Sequence, residues 1–215
     1  MKIGILGTGM VGETIGSKLV ALGHEVKIGG RQPKNEKGEA WAKKVGDKGS
    51  YGTFAETAAF GEIVFNCTKG EGSVDAVSAG KAGLAGKILV DVTNPLDFSK
   101  GFPPSLFVSG TDSLGERIQR EVPEAKVVKA LNTVNCEVMV DASRVGGDSD
   151  IFVSGNDAEA KATVSRFLRE QFGWKNVVDL GDITTARGTE AWLLLWIRLY
   201  GTLKTGDFNL KIVKK

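Results

Sequence analysis

The sequence predicts an α/β protein with a doubly wound, mostly parallel sheet, extra C-terminal strands and a C-terminal helical segment. Three observations predict it. Short apolar runs alternate with helical patterns along the chain. Those runs are rich in Val, Ile and Leu, as expected of strands buried on both faces. The first run passes at once into a glycine-rich turn and an amphipathic helix.

Taken in order, the candidate strands are Lys2–Leu6, Glu25–Ile28, Ile63–Cys67, Lys87–Val92, Lys126–Leu131, Ile151–Val153 and Asn176–Leu180. Each is bounded by Gly, Asn or charge, which stop a strand. After the first strand, Val11, Ile15, Leu19 and Leu22 repeat with helical spacing. A later helix is expected over Asp157–Phe172, with Val164, Phe167, Leu168 and Phe172 on one face and Asn156 with Glu159 as a capping box. About Asn94 to Gly110 the chain reads as irregular, broken by Pro95, Pro103 and Pro104. The run Ala191–Ile197 stops at Arg198, well short of the ~20 apolar residues a membrane span needs, and reads as a buried or interfacial helix. In it Trp192, Leu195, Trp196 and Leu199 have helical spacing and suit core or a dimer interface, some of them also lining a ligand cleft. The expected division is a nucleotide-binding domain over residues 1–180 and a helical segment over 181–215 that closes the cleft and dimerises. The basic end, Lys211 to Lys215, reads as solvated.

Composition narrows the function. The chain has 28 Lys and Arg against 26 Asp and Glu, a net charge of +2, so no broad positive field favours nucleic acid. Two cysteines and one histidine, His24, leave no ligand set for a multi-histidine or all-cysteine metal site, and no metal is expected. Ser-His-Asp hydrolysis would have to use His24, which reads instead as a turn residue. Met1-Lys2 is followed at once by a glycine-broken strand rather than a leader, so no membrane is implicated and a cytoplasmic setting is expected.

The run Gly7-Thr8-Gly9-Met10-Val11-Gly12 carries most of the functional signal. With 29 glycines in 215 residues, the bare G-x-G-x-x-G pattern arises by accident about 0.5 times in such a chain. Its place between a strand and a helix supplies the meaning. Gly7 permits the tight turn, Gly9 lets main-chain N–H groups approach a diphosphate, and Gly12 allows close helix–strand packing, as in a Rossmann-type fold. The helix N-terminus adds its free N–H groups and partial positive charge.

The second strand decides which nucleotide. An NAD site ends that strand with a carboxylate for the ribose hydroxyls. Here the strand ends in Gly29-Gly30-Arg31, and Glu25 lies at its wrong end. A guanidinium there bonds a 2′-phosphate by a fork, and Lys34 or Asn35 can complete the clamp. NADP(H) is expected over NAD(H). Later strand ends point at the same rim: Asn66-Cys67-Thr68-Lys69-Gly70, Asp91-Val92-Thr93-Asn94-Pro95, and Leu131-Asn132-Thr133-Val134-Asn135-Cys136.

With those motifs assembled, the chain resembles the NADPH:F420 oxidoreductases, which move a hydride between NADP(H) and the deazaflavin coenzyme F420. The resemblance rests on Ile5–Gly12, Leu22–Val26, Gly30-Arg31, Val128–Thr133, Phe152–Asp157 and Thr189–Gly201. It implies NADP contacts from Thr8 to Val11 and from Gly30, Arg31, the Lys34/Asn35 pair, Thr68, Asn94 and Cys136. It implies too that the deazaflavin lies between the sheet and the C-terminal helices. Asn132 stands where some members have histidine, and Thr68-Lys69-Gly70-Glu71-Gly72 lacks a proline common in the family. The small-molecule redox partner is therefore left open. Coenzyme F420 competes with a flavin, a quinone, a metal chelate or a small carbonyl, and a non-catalytic NADP(H) sensor is the remaining alternative. No residue is assigned as a catalytic acid or base, because transfer between stacked rings needs proximity and dryness more than either.

Overall fold

The computed structural model describes residues 1–146 and 148–215. The glycine turn sits where the topology reverses. β1 (Lys2–Leu6) is followed by α1 (Met10–Ala21), β2 (Glu25–Gly30), α2 (Glu36–Val45), β3 (Gly49–Thr53) and α3 (Phe54–Phe60). Then come β4 (Ile63–Asn66), α4 (Ser73–Ala79), α5 (Lys81–Leu84), β5 (Ile88–Asp91) and a small antiparallel pair, β6 (Leu96–Asp97) and β7 (Ser105–Leu106). The chain continues through α6 (Leu114–Glu121), β8 (Lys126–Ala130), α7 (Cys136–Met139), β9 (Asp150–Ser154), α8 (Ala158–Phe172), β10 (Asn176–Asp179) and α9 (Ala186–Leu203).

The main sheet has the order β10-β9-β8-β5-β4-β1-β2-β3. Its six strands from β3 to β8 are parallel, with Ile3 opposite Val26 on one side and Ile63 on the other. β9 turns antiparallel to β8, and β10 follows it in parallel. The connections run away from β1 in both directions, so a crevice opens beyond the carboxyl ends of β1 and β4, the place where doubly wound sheets bind ligands. Alternate strand residues enter two cores, because successive side chains point to opposite faces. Ile3, Ile5, Phe65, Ile151 and Trp174 fill one, and Leu6, Val64, Leu89, Val127 and Ile118 the other.

The fold class is as the sequence predicts, with four local corrections. β3 reads Gly-Ser-Tyr-Gly-Thr, lacks an aliphatic run and is only half-buried at the sheet edge, so hydrophobic pattern missed it. The irregular stretch contains the β6–β7 pair. The cap of α8 is Asp157, whose side chain accepts from Ala160 N, while Asn156 accepts from Ile183 N across the fold. On α9 the inward face is Ala186, Glu190, Leu193 and Ile197. Trp192, Trp196 and Leu199 are half-buried, and Leu195 is exposed. The basic end is exposed from Lys211 to Lys215, as the sequence predicts, and Lys211 is paired on that surface. It pairs with Asp148 at 3.0 Å, and Asp150 N and Oδ2 bond Leu210 O and Ile212 N.

Candidate functional site

The three motif glycines do different jobs. Gly7 has φ of +122°, and a Cβ there would lie 2.8 Å from the Cys67 carbonyl oxygen. A Cβ on Gly12 would overlap the Gly7 carbonyl. Both are demanded by the fold, where only glycine escapes the clash. Gly9 is not. It is the N-cap of α1, in extended conformation, and a Cβ there would meet nothing within 4 Å. No side chain caps α1, so its first N–H groups and positive end face that open space.

Beyond the turn lies a cavity of about 310 Å³ lined by Gly7, Thr8, Gly9, Gly30, Arg31, Asn35, Thr68, Lys69 and Gly72. No carboxylate lines it among the described residues. Arg31 reaches across so that a Cβ on Gly72 would sit 2.8 Å from its terminal nitrogen. Asn35 caps α2 by accepting from Gly38 N at 3.1 Å and donates to Thr8 Oγ1 at 3.3 Å. A side chain on Gly30 would strike the Asn35 amide. Asn35 thus fixes the floor of the cavity, whereas Lys34 is exposed and lines neither this cavity nor the next.

A second cavity of about 510 Å³ continues from the first, the two sharing Cys67, Thr68 and Lys69. It holds four more of the predicted residues, Met10, Val11, Asn94 and Cys136, with Asn132 and Val134 from the β8 end. Leu96 and Phe98 come from the β6 segment, and Leu193 and Trp196 from α9. Trp196 belongs to the α9 set that the sequence offers as cleft-lining; Leu96, Phe98 and Leu193 carry no such signal, since nothing local marks an apolar side chain as a ligand wall. Lys69 stood in a noted strand-end motif but was not assigned to the site. A third, more open groove of about 840 Å³ runs along α1 and α2, with Lys18, Lys37 and Lys44 set against Glu13 and Glu137.

A buried polar chain supports the floor of both cavities. Lys129, on β8, is 1% exposed and donates to Asp91 Oδ2 at 2.8 Å and to Thr93 O at 2.6 Å. It also pairs with Glu190 of α9 at 2.8 Å. Burial alone would lower the Lys129 pKa, but Asp91 and Glu190 more than offset it and hold it above the usual lysine value. Glu190 spends its remaining acceptor capacity on Leu114 N and Gly115 N, the open start of α6. Asp91 accepts from Thr93 Oγ1 and from Asn66 Nδ2, and Asn66 Oδ1 accepts from the Thr68 hydroxyl at 2.7 Å. Thr68, in both cavities, is therefore the surface end of a chain rooted in α9. Asn94 and Asn132 are paired as well: Asn94 Nδ2 donates to Asn132 O, and Asn132 Nδ2 to Asn94 Oδ1. Leu131, just before them, has φ of +63°, an uncommon conformation held at the site's edge.

Neither cysteine is poised to react. Burial pushes the Cys67 thiol far up, with Asp91 adding to it, and burial also raises Cys136. Among the described residues no three His, Cys, Asp or Glu side chains are grouped to hold a metal ion, and no helix is long and apolar enough to cross a membrane.

The family described as "NADP oxidoreductase coenzyme F420-dependent" matches residues 2–95. The F420-dependent NADP reductase of Methanocaldococcus jannaschii is 31% identical over 99% of this chain and 98% of its own. A crystal structure from Arthrobacter sp. FB24, provisionally named an F420-dependent NADP-reductase, superposes with a TM-score of 0.94 at 52% identity, each chain covered in full. The rat metalloreductase STEAP3 is also 31% identical over 88% of this chain, which spans only 36% of that longer protein. The likeness to the Methanocaldococcus reductase runs the length of both chains, and the present chain belongs to the F420-dependent NADP reductase family.

Proposed function

We propose that the chain is an oxidoreductase that holds NADP(H) across the first cavity and passes a hydride between its nicotinamide and a second redox molecule in the second cavity, coenzyme F420 being the leading candidate. The observation that carries the nucleotide half is the glycine turn: two glycines are required by packing, while Gly9 borders a space that the protein itself does not fill, which suits a group bound there. Such a group accepts hydrogen bonds and carries negative charge, because it faces an uncapped helix start and a cavity lined by Arg31 and Lys69. The residues present suit a phosphorylated dinucleotide.

In this reading Thr8 to Val11 hold the diphosphate, and Gly30, Arg31 and Asn35 shape the adenosine end. Thr68, Asn94 and Cys136 edge the nicotinamide half, while Gly7 and Gly12 keep the turn in shape. The bound nucleotide supplies the hydride. The chain supplies position and exclusion of water: Leu96, Phe98, Val134, Leu193 and Trp196 give the second cavity an apolar wall against which a flat ring can lie. We further propose that residues 1–180 form the nucleotide-binding unit and 181–215 the closing segment. A second copy packs on the exposed Leu194, Leu195 and Leu203 of α9 in a cytoplasmic homodimer.

A second reading keeps NADPH and changes the acceptor to a flavin or metal chelate, motivated by the likeness to a metalloreductase. Stopped-flow oxidation of bound NADPH separates the two. Fast turnover with F420 and slow turnover with free flavin support the first; the reverse order supports the second. Tight NADPH binding with no turnover by any acceptor would contradict both.

A further inference from the structure

A 2′-phosphomonoester is close to a dianion at neutral pH, and one guanidinium leaves half of that charge unmatched. The sequence offers Lys34 or Asn35 as the second partner, but neither brings a second positive charge to the lining of the cavity. Lys34 is exposed and outside the cavity. The Asn35 amide is held by Thr8 and pressed against Gly30, and its oxygen caps α2. One other cation lines the cavity, and it comes from the opposite wall: Lys69.

The loop that carries Lys69 is fixed on every side except that of its side chain. Thr68 before it is tied to Asn66 and Ser73 at 2.7 and 2.8 Å. The Lys69 carbonyl accepts from Gly72 N at 3.0 Å and from Ser73 Oγ at 3.2 Å. Gly70 lies so close to the Asn94 carbonyl that a Cβ would overlap it. Gly72 lies under the Arg31 guanidinium, which brings the two cation-bearing loops together. The Lys69 ammonium has no ion-pair partner among the described residues and borders two cavities, the first lined by no carboxylate and the second by Glu71 alone.

From this arrangement we propose that Lys69 is the second cation for the 2′-phosphate, closing with Arg31 from the other side of the cavity and selecting NADPH over NADH. The inference rests on the nucleotide reading above and narrows it to one more contact.

The test is titration of the full-length protein with NADPH and with NADH, in the wild type and in Lys69→Ala, Lys69→Arg, Lys34→Ala and Arg31→Ala. Lys69→Ala is expected to weaken NADPH about tenfold and NADH less than twofold, and to flatten the salt dependence of NADPH binding. Lys69→Arg should restore most of the affinity, and Lys34→Ala should change neither nucleotide. Equal losses for both nucleotides would assign Lys69 to the diphosphate and overturn the proposal. Unchanged nucleotide affinity, with or without a raised KM for the acceptor, would overturn it too. Arg31→Ala separates the two levels of failure. If it discriminates between the nucleotides while Lys69→Ala does not, only the Lys69 assignment falls; if it affects both alike, the reading of the first cavity falls with it.

Discussion

The two cavities are built from different materials. The first is mostly main chain: a turn, a helix start, glycines at the ends of two strands and two cations. All of it comes from the first third of the chain, nearly all from the ends of β1, β2 and β4 and the loops that follow them. The second is mostly side chain and is gathered from α1, the ends of β4, β5 and β8, the β6 segment and α9. A backbone site keeps its shape wherever its turn folds. A side-chain site exists only once distant elements have docked. Stability and binding should therefore respond differently to damage in the two regions.

The largest effect is expected where the second region is tied to the first. Lys129→Met leaves Asp91 and Glu190 facing each other in the interior without their cation. Breaking a buried pair on one side costs about 3–5 kcal/mol, mostly from the charge left behind. For a domain of this size each kcal/mol moves the midpoint by roughly 2–4 °C, so a fall of about 10 °C in thermal unfolding is expected. Adding Asp91→Asn and Glu190→Gln, which remove the charges but keep a side-chain oxygen for Thr93, Leu114 N and Gly115 N, should recover part of it. A triple variant no more stable than Lys129→Met alone would show that the cost is not stranded charge.

The next effect is confined to binding. Gly9→Val adds a side chain where nothing in the protein objects, at a φ any residue adopts. Nucleotide affinity should fall at least about a hundredfold, ~2.7 kcal/mol, with the melting midpoint unchanged. Gly12→Val, whose Cβ would overlap the Gly7 carbonyl, should instead fail to fold or melt far lower. If both variants melted alike, the difference between a glycine kept for the fold and one kept for a ligand would disappear.

That contrast also explains what could be read in advance. Gly7, Gly9 and Gly12 were legible because a turn, a close approach and a helix start are local demands with a fixed spacing. Arg31 was legible because strand length alone sets where β2 ends. Leu193 was not, and Trp196 only as one of four α9 candidates, since which face of α9 turns inward depends on what it packs against. The inward face proved to be Glu190, Leu193 and Ile197, with Leu195 left in solvent. Glu190, a carboxylate in an apolar helix, was the available sign that a buried cation lay opposite. The edge strand β3 was lost for a related reason: with one neighbour and half its surface wet, it needs no aliphatic run.

The smallest effect concerns how α9 and α6 hold together in acid. Arg187 of α9 makes a bidentate pair with Glu116 of α6, which pulls the Glu116 carboxyl below its ordinary value despite the opposing effect of burial. Asp112, before α6, would be pushed up by its burial, but Arg120 and Arg117 bring it down to about 2. A carboxylate whose pKa is lower in the folded than in the unfolded protein adds stability above its unfolded pKa and loses it as pH falls through the folded one. For the contact between α9 and α6 the group concerned is Glu116, so the loss begins below the ordinary glutamate range; Asp112, paired with Arg117 and Arg120 of α6, steadies α6 itself down to about 2. As that contribution is lost α9 should loosen before the sheet does, because the β1 and β4 core, with Ile3, Ile5, Val64 and Phe65, is apolar and fully buried. Tryptophan emission should shift to the red as Trp192 and Trp196 gain water, at a pH where far-ultraviolet circular dichroism is still native. Arg187→Gln should move that shift to higher pH. If emission and dichroism instead changed together in both proteins, α9 would be part of the same cooperative unit as the sheet, and the second cavity would be as firmly built as the first.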